Sequence, residues 1–334
     1  MSGLTDQEVD RIVGRAEEAG ACAVSEPGAL HDGLEALVRA GVLVSPLPRL
    51  YARARTWEEL DVSGHMLHIM RALGAKHPDW VFCGVGAAVA HGLSVSYRLQ
   101  THIEVASVSG TGRFSSRRVR RAYVDLASDE PVDVSGVRAT SLARTTFDCM
   151  RTVEFGEALA IADSALRTGG LTREALVAYV DGKRTGYHGI AQARLVASLA
   201  DPRSESGGES VARAVMWELG FAAPILQFEV QDPIEPGRTY RVDFCWVLDD
   251  GTLVFGELDG GEKYLDPAMT QGRDAIDVMR DERRREARLT AGQGRVVRFS
   301  MRDVADREGF ARLLDTYGVP RDHDPVILPP LPRR

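Results

Sequence analysis

Two short apolar segments in the C-terminal part of the chain carry carboxylates within strand-like patterns, and this pair constrains the fold most. The segments are RVDFCW (241–246) and LVFGELD (253–259), and a turn at 249–251 lies between them. A short turn of this kind predicts neighbouring antiparallel strands. Because side chains alternate along a strand, Glu257 and Asp259 point to one side, while Asp243 lies on the neighbouring strand. We therefore expect three acids to converge at one edge of a small sheet.

Carboxylates that lie this close together in a protein usually bind a divalent cation. Mg²⁺ prefers oxygen ligands and is commonly held by one or two carboxylates together with waters and phosphate oxygens. A cation bound there can polarise a phosphodiester and activate water. Glu209, at the start of the preceding predicted helix, is a fourth candidate acid.

Lysine is rare in this chain, and one lysine follows the acids closely. Of 41 Lys and Arg residues only three are lysines, namely Lys76, Lys183 and Lys263. Lys263 lies four residues beyond Asp259. Because a compact ammonium is not interchangeable with a guanidinium near a phosphate, we expect Lys263 to stabilise developing charge or to orient the attacking water.

A family resemblance rests on five strings between Glu209 and Asp303 or just before them. They are SGGES (206–210), RVDFCW (241–246), GELDGGEKY (256–264), DERRREARLTAG (281–292) and RVVRFS (295–300). This segment resembles the PD-(D/E)XK restriction-endonuclease-like superfamily, in particular its branch related to very-short-patch-repair endonucleases. The resemblance implies a restriction-endonuclease-like α/β/α core in which Asp243 and Glu257 bind Mg²⁺ or Mn²⁺. It also allows a homodimer, since restriction-like nucleases often act as dimers.

The chain departs from the superfamily pattern at one position. The usual lysine comes two residues after the second acid, and Asp259 stands there, so Lys263 would have to act from the following turn. The alternatives are a surface strand with solvated acids and a nuclease fold that only binds.

Residues 1–60 are expected to form a small helical domain that ends in a hairpin. Helical spacing covers 4–19, and LHDGLEALVRAGVLV places apolar residues on one face before Gly41. Short apolar segments at 42–44 and 50–52 flank SPLPR, whose prolines mark a turn. Helices followed by a short β-wing are typical of a winged helix, and a plain helical cap is the alternative.

Residues 61–200 are expected to form an α/β domain that contains the most basic segment of the chain. The string RFSSRRVRRAY holds five arginines and no acid: Arg113, Arg117, Arg118, Arg120 and Arg121. They alternate with Phe114, Val119 and Tyr123, a pattern in which one strand face is buried while the arginines face a phosphate backbone. A solvated charged face is the alternative.

A second resemblance covers residues 1–200. It rests on the strings LEALVRAGVLVSPLPRLYA, VFCGVGAAVAHGL, GVRATSLARTTFDCMRT and EALAIADSALR. These look like the AbiEi-type antitoxin family of bacterial type IV toxin–antitoxin systems. The resemblance implies DNA binding or repressor ancestry, a role in phage defence, and a toxin or another defence-system protein as partner.

Composition indicates the remaining domain limits and the cellular setting. The polar string DPRSESGGES is expected to be a linker (201–210) before the nuclease-like domain (211–320) and a proline-rich tail (321–334). Four scattered cysteines without a CxxC pair argue against structural zinc and fit a reducing, cytoplasmic setting. A net charge of −7 gives no global attraction to nucleic acid. No apolar run approaches a membrane span, and the polar N-terminus is not a signal peptide.

The sequence therefore predicts a multidomain α/β protein that hydrolyses DNA with Mg²⁺ or Mn²⁺. In this hypothesis Asp243 and Glu257 hold the metal, Asp259 completes the site, Lys263 assists the water or the phosphate, and Glu209 supports from the helix. The alternative is a non-catalytic DNA-binding regulator or antitoxin. A third hypothesis is a protein-interaction module of a defence system.

Overall fold

The computed structural model describes residues 6–107, 118–127, 129–183, 185–259, 275–291 and 294–328, with the backbone alone at 275–282. The helices are α1 (Asp6–Val9), α2 (Arg15–Glu18), α3 (Ala29–Arg39), α4 (Ala54–Glu58), α5 (Val62–Lys76), α6 (Gly84–Ala90), α7 (Leu142–Met150), α8 (Phe155–Arg167), α9 (Arg173–Asp181), α10 (Ile190–Leu199), α11 (Gly207–Glu218), α12 (Ala275–Thr290), α13 (Met301–Ala305) and α14 (Arg307–Tyr317). The strands are β1 (Ala23–Val24), β2 (Leu43–Val44), β3 (Leu50–Arg53), β4 (Phe82–Cys83), β5 (Ile103–Ser107), β6 (Val119–Tyr123), β7 (Val132–Val134), β8 (Val137–Ala139), β9 (Ile225–Gln231), β10 (Thr239–Val247), β11 (Leu253–Asp259) and β12 (Gly294–Ser300). The protein is thus a mixed α/β chain.

The chain divides into two compact units. The first unit comprises Met1–Arg151 and Gly170–Ala193, and the second comprises Thr152–Gly169 and Arg194–Arg334. Helix α8, which lies inside the predicted middle domain 61–200, belongs to the second unit and packs against α11. A Cβ at Gly156 would lie 3.4 Å from the Val211 side chain, so the two helices are in ordinary van der Waals contact there.

The first unit contains two sheets. Strands β2 and β3 form the hairpin expected near residue 47 and join β1 in a three-stranded antiparallel sheet with the order β1-β3-β2. The fully buried side chains of Leu34 and Tyr51 join α3 to this sheet. A five-stranded mixed sheet has the order β6-β5-β4-β8-β7, so β6 is an edge strand among the described residues.

The second unit is built on one four-stranded sheet with the order β12-β11-β10-β9. Strands β9, β10 and β11 are consecutive antiparallel neighbours, and β12 returns parallel to β11 after α12. Val254 and Phe255, which follow each other on β11, belong to different core clusters, so apolar side chains cover both faces of the sheet. Helices α11 and α14 contribute to the cluster of Val254, and Leu289 of α12 contributes to the cluster of Phe255.

The segment predicted as a linker is ordered and partly buried. Ser206 caps α11, and residues 207–210 form the first turn of that helix. Ser204 and Ser210 are buried and share a hydrogen bond of 2.9 Å. The polar residues of this string therefore serve to begin a helix, which its Gly/Ser-rich composition did not indicate.

Candidate functional site

One row of residues crosses the four strands of the second unit. The pairs on either side, Val242 with Phe228 and Phe244 with Leu226, place Gln227 opposite Asp243. The register of β10 with β11, continued by one residue, places Asp243 opposite Glu257. Glu257 pairs in turn with Arg298 on the parallel strand β12. We call these four residues the cross-strand row.

Glu209 approaches the row from the first turn of α11. The Ser206 hydroxyl donates to Glu209 Oε1 at 2.8 Å and accepts from the Glu209 N–H at 3.1 Å. Glu209 Oε2 accepts from the Glu205 N–H at 2.8 Å and from the Gln227 amide at 3.1 Å. These donors are all neutral. Burial raises the pKa of Glu209 above its usual value, and the negative charge of Asp243 adds to this effect.

Glu257 is held by an arginine of helix α12. Arg285 Nη1 donates to Glu257 Oε2 at 3.0 Å, and Nη2 donates to Oε1 at 2.6 Å, which is a two-point contact of guanidinium and carboxylate. Nη2 also donates to the Arg241 carbonyl at 2.6 Å. Burial raises the pKa of Glu257; the Arg285 charge opposes this rise and the Asp243 charge adds to it.

Asp243 acts electrostatically on both glutamates. Its charge contributes to the raised pKa of Glu209 and to that of Glu257. Its Oδ2 accepts a hydrogen bond of 2.9 Å from the Leu258 N–H, which fixes the carboxylate against β11. Glu209 and Glu257 therefore each lie within electrostatic reach of Asp243.

Of the other two predicted catalytic residues, Asp259 is the one that lies within the described residues. Asp259, at the end of β11, is half-buried and forms a 3.4 Å ion pair with Arg298. Arg298 also lies 3.7 Å from Glu286 of α12. Lys263 falls outside the described residues, so its role stays a prediction.

The carboxylate oxygens of this site suit a hard divalent cation, provided that the ion displaces Arg285 from Glu257. The described residues contain no group of three His, Cys, Asp or Glu side chains arranged to hold a metal ion. Mg²⁺ needs only one or two carboxylates when waters and phosphate oxygens complete its shell, and Asp243 and Glu257 offer such oxygens. Burial is the main cause of the raised pKa of Glu257 and the Asp243 charge adds to it, so a cation at this carboxylate would favour its charged form. An ion on Glu257 would have to displace Arg285, so Arg285 is a competing cation.

Sequence reasoning missed two members of this site, Arg285 and Gln227. Arg285 lies in the charged string DERRREARLTAG (281–292), in which acids and arginines are also spaced to pair within the helix. A signal was nevertheless present, because Arg285 and Arg288 are one helical turn apart and Leu289 follows them. Leu289 is buried, so both arginines face the sheet, where Arg288 pairs with Asp232 at 2.6 Å.

The basic segment is only partly described. Arg113 and Arg117 fall outside the described residues, whereas Arg118, Arg120 and Arg121 are exposed on or beside the edge strand β6. Val119 is half-buried as expected, but Tyr123 is 64% exposed, so the expectation that it faces the core is wrong.

A cavity lies beside this strand in the first unit. Its volume is about 330 Å³, and Arg118, His102 and Gln100 line it together with Trp57, which stacks on His65 at 4.0 Å. The cavity has both polar and apolar walls.

No helix in the described ranges is long and apolar enough to cross a bilayer.

Comparison with known proteins identifies relatives without an assigned role. Two uncharacterized proteins of Mycobacterium tuberculosis, one from strain H37Rv and one from strain CDC 1551, are each 39% identical over 113 residues. The matched region is 34% of this chain and 41% of each relative, so the chain spans less than half of the proteins it matches. No family model matches the chain, and no solved structure matches it.

Proposed function

We propose that the second unit is a metal-dependent endonuclease that hydrolyses phosphodiester bonds of DNA. The observation that carries this proposal is the approach of Glu209, Asp243 and Glu257 from one helix and two neighbouring strands. The order of helix α11, three antiparallel strands, helix α12 and a parallel strand supports it. These elements cover the segment whose sequence resembles the PD-(D/E)XK superfamily.

Asp243 and Glu257 would supply the carboxylate oxygens for Mg²⁺ or Mn²⁺. When bound, the cation would polarise the phosphodiester and activate a water. Glu209 would accept a proton, because its raised pKa makes it a better base than an ordinary carboxylate. Arg285 would stabilise negative charge on the phosphate, a role that the superfamily gives to the lysine whose position Asp259 occupies.

Cleavage of supercoiled plasmid in Mg²⁺ or Mn²⁺ tests the proposal. We expect the wild-type chain to nick the plasmid, and Asp243→Asn and Glu257→Gln each to abolish nicking. Asp249→Asn is the matched control, since Asp249 is exposed in the turn between the same strands. Nicking that persists in Asp243→Asn and Glu257→Gln would overturn the proposal.

A DNA-binding regulator of the AbiEi type is the second candidate function. The observation that favours it is the exposure of Arg118, Arg120 and Arg121 along an edge strand. A toxin or defence-system partner and a homodimer stay predictions in either case. Replacing Arg120 and Arg121 by Ala should weaken DNA binding and flatten its salt dependence, whereas Asp243→Asn should leave binding intact. DNA binding that is unchanged by the arginine replacements would count against this candidate.

A further inference from the structure

The alternation of side chains is interrupted in the middle of the β9–β10 pair. On β9, Leu226 packs in the cluster of α11 and α14, whereas Phe228 packs in the cluster of α12. In a regular strand residues two apart share a face, so the faces are exchanged at Gln227. On β10, Val242 packs in the cluster of α12, whereas Phe244 packs in the cluster of α11 and α14. The faces of β10 are therefore exchanged at Asp243, opposite Gln227.

Gln227 has an unusual backbone conformation at this point. Its φ is +52°, in the left-handed region that residues with a Cβ rarely adopt. Glycine occupies this region without a steric penalty, and asparagine tolerates it better than most residues. A glutamine therefore needs a reason to stand here, and strained positions of this kind are concentrated at functional sites.

The side chain of Gln227 supplies that reason. Its amide donates to Glu209 Oε2 at 3.1 Å, the oxygen that also accepts from the Glu205 N–H at 2.8 Å. Donors fixed on a carboxylate favour its charged form and restrict its rotation. The nearby Gln231 provides a contrast, because it lies on the same strand, is exposed and has an ordinary φ.

We propose that Gln227 is a positioning residue of the carboxylate site, whose left-handed backbone aims its amide at Glu209 and fixes that carboxylate beside Asp243. This role rests on the proposed function for its catalytic consequence. In this proposal Gln227 acts through its hydrogen bond to Glu209. The interruption of the β9–β10 pair is thus the cost of placing a donor from β9 within reach of α11.

Three variants separate the backbone from the side chain. Gln227→Gly removes both the backbone strain and the side-chain amide. Gln227→Asn keeps an amide and suits the left-handed backbone, but its side chain is one methylene too short to reach Glu209. Gln231→Gly is the control. The readouts are the urea midpoint, kcat and KM for plasmid nicking, and the ¹³C carboxyl resonance of Glu209 followed through a pH titration. Glu209→Gln assigns that resonance.

We expect Gln227→Gly and Gln227→Asn to unfold at the same urea concentration as the wild type or a higher one. Both should lower kcat by about 10-fold or more, the effect of losing one hydrogen bond to a charged group, with little change in KM. Both should also move the Glu209 titration to higher pH. Gln231→Gly should lower the urea midpoint, because glycine weakens a strand, and leave kcat and the Glu209 resonance unchanged.

Two results would overturn the inference. One is a lower urea midpoint in Gln227→Gly than in Gln231→Gly, which would make Gln227 a packing residue of β9. The other is a Glu209 resonance and titration that are the same in Gln227→Asn and in the wild type. If the wild-type chain cleaves no DNA, the proposed function fails, while the Glu209 resonance still decides whether Gln227 positions that carboxylate.

Discussion

The contact between Arg285 and Glu257 leads to a quantitative prediction about stability. The side chains are 23% and 11% exposed and meet at two points. Two unit charges about 4 Å apart attract by about 4 kcal/mol at the effective dielectric constant of a partly buried site. Solvent screening of the partly exposed pair and the ordering of the arginine reduce this attraction by roughly half. We therefore expect a coupling free energy of about 2 kcal/mol.

A double-mutant cycle in urea measures this coupling. The variants are Arg285→Ala, Glu257→Gln and their combination, unfolded in the presence of a chelator so that no cation competes. Arg284→Ala is the matched control, because Arg284 lies next to Arg285 on α12 and is exposed. The control should change the free energy of unfolding by less than about 0.5 kcal/mol.

The coupling should depend on pH in a defined direction. The pKa of Glu257 is raised in the folded protein, so the folded state binds this proton more tightly than the unfolded chain does. The destabilising effect of its buried charge is therefore present above the folded pKa and is lost as the pH falls through it. Arg285→Ala removes the positive charge that opposes this rise, so it raises the pKa of Glu257 further. The loss in the free energy of unfolding caused by Arg285→Ala should therefore be greatest near pH 8. It should shrink toward pH 4.5, close to the ordinary glutamate pKa of about 4.3. A coupling below about 0.5 kcal/mol near pH 8, or one that does not change with pH, would refute this reasoning.

Three further predictions follow from other contacts. Asp243→Asn should lower the pKa of Glu209, since a neighbouring negative charge is removed, and a ¹³C carboxyl titration that shows no fall would contradict this. Phe244→Ala should lower the free energy of unfolding of the second unit by about 3–5 kcal/mol, because the ring is fully buried in the sheet core; urea unfolding measures the loss, and a loss below about 1 kcal/mol would exclude a central packing role. Arg144→Ala should lower the stability of the first unit by about 3 kcal/mol in the same assay, because its buried guanidinium pairs with Asp148 at 2.7 Å, while the exposed Arg138→Ala should have little effect. Equal losses in the two arginine variants would contradict the last prediction.

The local pattern of the sequence was sufficient for the elements that carry the acids. RVDFCW and LVFGELD lie within β10 and β11, and the turn between them sets their antiparallel register. Continued by one residue, that register places Asp243 opposite Glu257. Glu209 was likewise predictable, because Ser206 three residues before it is a helix-start signal.

The remaining contacts of the site depend on tertiary packing. The partner of Arg285 follows from the rotation of α12. Leu289 indicates this rotation, but the sequence does not show which acid of the sheet the guanidinium reaches. Gln227 could not be found from periodicity, since its position breaks the alternation on which strand prediction depends. The assignment of α8 to the second unit goes with its packing against α11, which composition does not reveal.

Binding of Mn²⁺, followed by electron paramagnetic resonance, tests the central claim most directly. If Asp243 and Glu257 form a cation site, the wild-type chain binds Mn²⁺, Mg²⁺ competes with it, and affinity rises with pH because protonation of Glu257 opposes binding. Asp243→Asn should abolish this binding, while Asp249→Asn should retain it. Mn²⁺ affinity that is the same in Asp243→Asn and in the wild type would contradict a cation site on the cross-strand row.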